Sequence, residues 1–146
     1  MKKTYKSILI SLLFLTVYAC GSSSKTGDLK ALIVGKYVLQ DENEFDNIRD
    51  TLEIKPNDQA TFDIVRIRWT SAKKDDPNRP VNKIAGQWGS GGPKTVIGTL
   101  QTSDTTIRIP EPMTGRLRII SFNFATNTLK DLSFSGAESI YQKIKQ

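Results

Sequence analysis

Thr51-Leu52-Glu53-Ile54-Lys55-Pro56-Asn57-Asp58-Gln59-Ala60-Thr61-Phe62-Asp63-Ile64 is the stretch that decides the fold. Its first five residues alternate polar and apolar, the period of a strand with one face buried. Pro56 fixes φ, and Asn57 and Asp58 form local side-chain bonds, so the middle reads as a turn. The run from Ala60 through Trp69 then reads as a second, longer strand. Two such runs around a short turn specify an antiparallel hairpin.

The same grammar extends outward in both directions. Upstream, residues 35–40 read as a strand and residues 41–47 as an acidic connection. Downstream, residues 70–82 read as a polar loop, 83–88 as a short strand and 89–93 as a glycine-rich turn. Strands are then expected at 95–101, 105–109, 116–124, 128–134 and 138–144, separated by Ser-Asp, Pro/Gly and Thr-Asn turns. No internal helix is evident beyond one short turn over 28–34. The sum is about eight strands with close-spaced turns, an all-β barrel or sandwich. Short connections favour a single antiparallel meander barrel, because parallel pairs need long crossovers. An eight-stranded barrel has an interior that side chains just fill, or that holds one small ligand.

Three segments carry a family likeness: Gly35-Lys36-Tyr37, the hairpin turn Asn57-Asp58, and Gly86-Gln87-Trp88. In this order they resemble bacterial lipocalin-like lipoproteins, and the closing run from Leu129 to Ile144 fits the last strands of such barrels. The layout is also similar to the small barrel of copper-homeostasis and envelope-stress lipoproteins. The Cys-x-x-Cys motif of that group is missing, which removes any basis for copper or redox chemistry.

The N-terminus speaks of location. Lys2, Lys3 and Lys6 precede an apolar run, Ile8 to Ala19, broken only by Ser11 and Thr16. A basic start and a short apolar stretch describe a secretory signal peptide. The run is too short for a spanning helix, which needs about 20 apolar residues. Val17-Tyr18-Ala19-Cys20 resembles a lipobox, in which the signal is cut before the cysteine and a diacylglycerol is attached to its sulfur. Cys20 is the one cysteine of the chain. The expected organisation is therefore a signal peptide over 1–19, a lipidated Cys20 and flexible tether over 20–32, and a lipocalin-like barrel over 33–146. A diacyl anchor with an added acyl chain such as palmitate holds stably, because two or more chains are needed. The expected location is the cell envelope, on the outer membrane in a Gram-negative host.

Composition narrows the function classes. With no histidine and no cysteine after Cys20, disulfides, Cys/His zinc sites, Ser–His–Asp triads and histidine-ligated haem are excluded. Three of the 21 basic residues lie in the signal, leaving 18 against 15 acids, a net of +3. That modest, interspersed charge does not describe a nucleic-acid binder. Gly89-Ser90-Gly91-Gly92-Pro93-Lys94 is not a phosphate loop, because Pro93 stands where a glycine N–H is needed. Asp41, Glu42, Glu44, Asp46 and Asp50 lack calcium-loop spacing. No enzyme, cofactor or metal site is expected.

The candidate site residues are arginines and aromatics. Arg66 and Arg68 share a strand face with Phe62 and Ile64, and Arg116 and Arg118 share one with Ile120, Phe122 and Phe124. Two accounts are open. Bulges near Ile64-Val65 and Ile119-Ile120 would turn the arginines outward. Otherwise they point into one end of the barrel as a cationic mouth for a carboxylate or phosphate. Trp69, Trp88, Tyr37, Phe62, Phe122 and Phe124 are the aromatic candidates for a ligand lining. The expected role is non-enzymatic binding of a small apolar, amphipathic or anionic ligand. The alternative is an envelope protein–protein or stress-sensing module with a filled core.

Overall fold

The computed structural model describes residues 24–58 and 60–145. The expected signal peptide, Cys20 and the first residues of the expected tether lie outside the described residues. The chain divides into two units, 1–31 and 32–146. Helix α1 (Ser24–Ile33) replaces the expected short turn. Its second half, Leu29-Lys30-Ala31-Leu32, is made of good helix formers. Gly35, at φ 143°, turns the chain from the helix end into the first strand, and an added Cβ there would lie 2.8 Å from Lys143 Cε.

Among the described residues nine strands follow: β1 (Gly35–Glu42), β2 (Asp46–Pro56), β3 (Thr61–Ala72), β4 (Trp88–Ser90), β5 (Lys94–Gln101), β6 (Thr106–Pro110), β7 (Leu117–Asn123), β8 (Thr128–Leu132) and β9 (Glu138–Lys143). They form one sheet in the order β2-β1-β9-β8-β7-β6-β5-β3-β4, and β2 also pairs with β3. The β2–β3 pairing closes eight strands into a barrel and leaves β4 as one extra strand. Each pairing is antiparallel.

Two differences from the expected strands have local causes. The acidic connection shrinks to residues 43–45, because Asn43 Oδ1 accepts the backbone N–H groups of Phe45 and Asp46 and makes a tight turn. The strand expected at 83–88 lies instead at β4. Gly86, at φ 78°, bends the chain there, and its N–H bonds Ala72 O. The edge of β3 is then shared, with Trp69–Ser71 on β4 and Thr61–Arg66 on β5. Pro93 stands at the break between them and has no N–H for the ladder.

The interior is graded along the barrel axis. At the end where β1 starts, Tyr37, Leu52, Ile54, Phe62, Ile64, Leu100, Ile107, Ile120 and Leu129 are buried. The packing there is filled. A Cβ on Gly98 would run into Ile107 Cγ2 and lie 2.8 Å from Ile64 Cδ1 and 3.1 Å from Ile109 Cγ1. Gly98→Ala is therefore expected to cost about 1–3 kcal/mol by overpacking, read as a lower urea midpoint at unchanged slope. Towards the other end the inward positions become charged: Asp50, Arg66, Asp131 and Arg118. That end carries the loops 43–45, 73–87, 111–116 and 133–137, and with Arg68, Lys73, Lys74, Arg79, Lys83 and Lys94 it is the basic end.

Two tyrosines report on the core. The Tyr37 hydroxyl donates to Ile33 O at 2.7 Å, and burial pushes its pKa up to about 12. Burial also raises Tyr141, helped by the negative charge of Asp50. Unfolding lets Tyr37 return to about 10, so the unfolded chain loses its proton first. Stability is thus unaffected by Tyr37 below about pH 10 and falls by about 1.4 kcal/mol per unit from 10 toward 12. Tyr141 adds a slope of its own, so urea unfolding at increasing alkaline pH reads the two together, and Tyr37→Phe is expected to reduce the slope by Tyr37's share.

Candidate functional site

The register settles the direction of the arginines. β2 and β3 stay paired without a break from Asp46↔Ala72 to Pro56↔Phe62. β7 keeps continuous register with both β6 and β8 through Ile119 and Ile120. Neither strand bulges where a switch of face would need one, so the outward-turned account is corrected. Arg66 stays on the face of Phe62 and Ile64, and Arg118 on the face of Ile120.

Each inward arginine meets a carboxylate. Arg66 Nε donates to Asp50 Oδ2 at 2.9 Å and Oδ1 at 3.1 Å. Asp50 is only 1% exposed, while the Arg66 side chain keeps 30% of its surface open. Its hydrogen bond to Asp50 holds Arg66 further above the usual arginine pKa. Arg118 forks onto Asp131, Nε to Oδ1 at 2.7 Å and Nη2 to Oδ2 at 2.8 Å, with both side chains almost wholly buried. Buried charges persist when paired and hydrogen-bonded in this way. These two arginines are thus committed first to their own barrel.

Beyond Arg66, the inward face of β3 continues as Arg68 and Thr70. Here β5 has left and β4 has not fully closed the wall. The gap is an open depression of about 570 Å³ lined by Arg66, Arg68, Thr70, Val81, Asn82, Lys94 and the stretch Gly89–Gly92. Asn82 builds its rim. Its amide donates to Thr70 Oγ1, and its Oδ1 occupies the space where a Gly89 side chain would stand. Asn82 sits at φ 54°, a left-handed conformation that asparagine tolerates. That turn brings Val81 to the rim, 65% exposed.

The loop carrying Val81 is braced rather than free-standing. Lys73 N–H bonds Phe45 O at 2.9 Å, Ala85 N–H bonds Asp75 Oδ1 at 2.7 Å, and Arg79 Nη2 bonds Asp46 Oδ2 at 2.9 Å. Glu42 pairs with Lys73. Glu42, Asp46 and Asp50 of the acidic stretch are therefore spent on three different cations.

The remaining candidates separate. Trp69 lies opposite Arg49 in the register, on the outer wall, and Trp88 lies opposite Ser71 on that same wall. The Arg49 guanidinium stacks 4.2 Å from the Trp88 ring centre. Neither tryptophan lines the interior, because alternation from Phe62 puts odd positions of β3 outside. Phe62 is fully buried in the filled end. Phe122 packs against Tyr37 and stacks with Phe124 at the same end, ring centres 6.1 Å apart in each pair. Arg116 is exposed in the 111–116 loop at the basic end. The structure brings Arg66 and Arg68 together and adds three residues the sequence reading missed: Lys94, Asn82 and Val81. Lys94 had a signal, since it follows the glycine-rich stretch at the start of a strand.

Comparison of the chain with protein-family models finds no matching family, and searches of curated proteins and of solved structures return no significant match.

Proposed function

We propose that this chain is a lipid-anchored protein of the cell envelope, with a lipocalin-like meander barrel that binds a small amphipathic ligand without catalysis. The ligand is held at the basic mouth and not within the barrel. The observation that carries this reading is the depression between β3, β4 and β5, with Arg68 and Lys94 in its wall. Its volume of about 570 Å³ falls in the range of small-molecule sites, about 300–1,000 Å³. The filled packing around Gly98 argues against a ligand buried along the barrel axis.

The anchoring half of the proposal rests on the Lys-rich start, the apolar run and Val17-Tyr18-Ala19-Cys20. Cells grown on labelled palmitate are expected to label the protein, and Cys20→Ala is expected to abolish the label and release the chain from membranes. Label retained in Cys20→Ala would contradict the anchor. The binding half is tested by native mass spectrometry of the protein from its own envelope beside a denatured control. A discrete extra mass that vanishes on denaturation is the expected result. A bare mass, together with no binding of added amphiphiles, would contradict it.

A second reading has its own observation. The filled core and the exposed Phe45, Ile84 and Met113 at the basic end also suit a module that docks on an envelope protein. Crosslinking through Met113-adjacent positions separates the two, because a docking module gives one discrete protein adduct.

A further inference from the structure

The two ends of the barrel differ in chemistry. At the end where β1 starts, the connections 57–60 and 102–105 are polar apart from Ala60, while 124–127 carries Phe124, whose ring stacks on Phe122. At the basic end, exposed apolar side chains stand on three of the four loops: Phe45 on 43–45, Val81 and Ile84 on 73–87, and Met113 on 111–116. Met113 is 96% exposed. Of these apolar tips, Val81 lines the opening itself.

Cations without an ion pair occur at both ends among the described residues, Lys36 and Lys143 at the end where β1 starts and Arg68 and Lys94 at the mouth. Arg66, Arg79, Arg108, Arg118, Lys55, Lys73 and Lys130 all have carboxylate partners. Arg68 and Lys94 line the mouth, and among the described residues neither forms an ion pair. They lie beside Arg66, whose charge Asp50 already balances. The opening therefore presents two uncompensated positive charges next to the exposed Val81 side chain.

We propose that this mouth binds the phosphate head of an amphiphile, with the head between Arg68 and Lys94 and the apolar chain laid over Val81. This rests on the ligand-binding reading above and names its ligand class. A phosphomonoester carries about −1.5 to −2 charge at neutral pH, which matches the two free cations. A guanidinium grips phosphate through a two-pronged hydrogen bond, and lysine adds a point charge. The chain stays outside because the barrel interior is filled. Gly91 and Gly92 leave the wall low there: a Cβ on either would meet nothing within 4 Å.

Calorimetry with decyl phosphate and with uncharged decyl maltoside, both below micelle formation, tests the inference. The protein is expected to bind decyl phosphate about tenfold or more tightly, since a hydrogen bond to a charged group contributes enough for that factor. The preference is expected to shrink as salt rises. Arg68→Ala/Lys94→Ala is expected to lose the preference and keep weak maltoside binding, while Lys36→Ala at the opposite end changes nothing. Arg68→Lys retains charge and is expected to keep part of the preference. Circular dichroism checks that each variant is folded. Equal binding of both probes by the parent and the double variant would overturn the phosphate assignment and leave the ligand reading standing. Binding of neither probe would overturn both. Co-sedimentation with phosphatidic acid vesicles, against phosphatidylcholine vesicles, identifies the source: sedimentation on the acidic vesicles assigns the head group of a bilayer lipid, and its absence beside tight decyl phosphate binding assigns a free amphiphile.

Discussion

Asp131→Ala is expected to lower the stability of the fold by about 3–5 kcal/mol, the cost of leaving a buried cation without its partner. Arg118 is the cation concerned, with its side chain 11% exposed and both prongs of its guanidinium on Asp131. Asp50→Ala is expected to cost less, because Arg66 opens onto the mouth and water reaches it. The order of the two effects follows from exposure alone, and urea denaturation reads both. Replacing the whole pair, Asp131→Leu with Arg118→Met, is expected to restore most of the loss, since a buried ion pair exchanged for apolar groups of similar volume is often neutral or better. If Asp131→Ala fell below Asp50→Ala in cost, the burial argument would be wrong. If the double replacement were as unstable as the single, Asp131 would have a role beyond balancing Arg118.

Phe62→Ala is expected to cost about 3–5 kcal/mol, the usual range for emptying a buried aromatic site. Phe62 is fully buried beside Gly98, opposite it in the β3–β5 register. Its ring fills the apolar end, and the mouth lies at the other end of the same strand. Affinity for decyl phosphate per folded molecule is therefore expected to stay within the error of the parent. This separates two roles that the sequence leaves merged, core packing and ligand lining. A Phe62→Ala protein that remains folded and loses ligand affinity would place the ligand inside the barrel.

Much of the architecture was legible because β structure writes itself in short-range signals. The turn Pro56-Asn57-Asp58 and the alternation on both sides of it located the β2–β3 hairpin directly. The fourth strand of the count, 83–88, failed where the cause was not local. Residues 83–87 have strand composition, yet they fold into a braced loop because Asp75, Ala72 and Lys83 bond across it. The helix α1 was missed for a related reason, since its polar residues show no marked apolar face.

The site was half legible. Alternation correctly put Arg66 on the face of Phe62, and the open question was whether a bulge intervened. The deciding signal lay on the neighbouring strands. Asp50 shares a face with Leu52 and Ile54, and Asp131 shares one with Leu129, so each inward arginine has an inward acid one strand away. Complementary charge on facing inward positions makes a bulge unnecessary. What alternation cannot show is the gap between β4 and β5. It depends on Pro93 breaking the ladder and on Asn82 reaching back to Thr70, a contact made only in three dimensions.

The central claim is that the basic mouth, and not the barrel axis or the tryptophan wall, is the working face. Backbone amide shifts of the isotope-labelled protein titrated with decyl phosphate test it most directly. The account predicts shifts concentrated at Arg66–Thr70, Val81–Asn82 and Gly89–Lys94, with Tyr37, Gly98 and Ile107 unmoved. Shifts centred on Tyr37, Gly98 and Ile107, or on Arg49, Trp69 and Trp88, with the mouth silent, would contradict it.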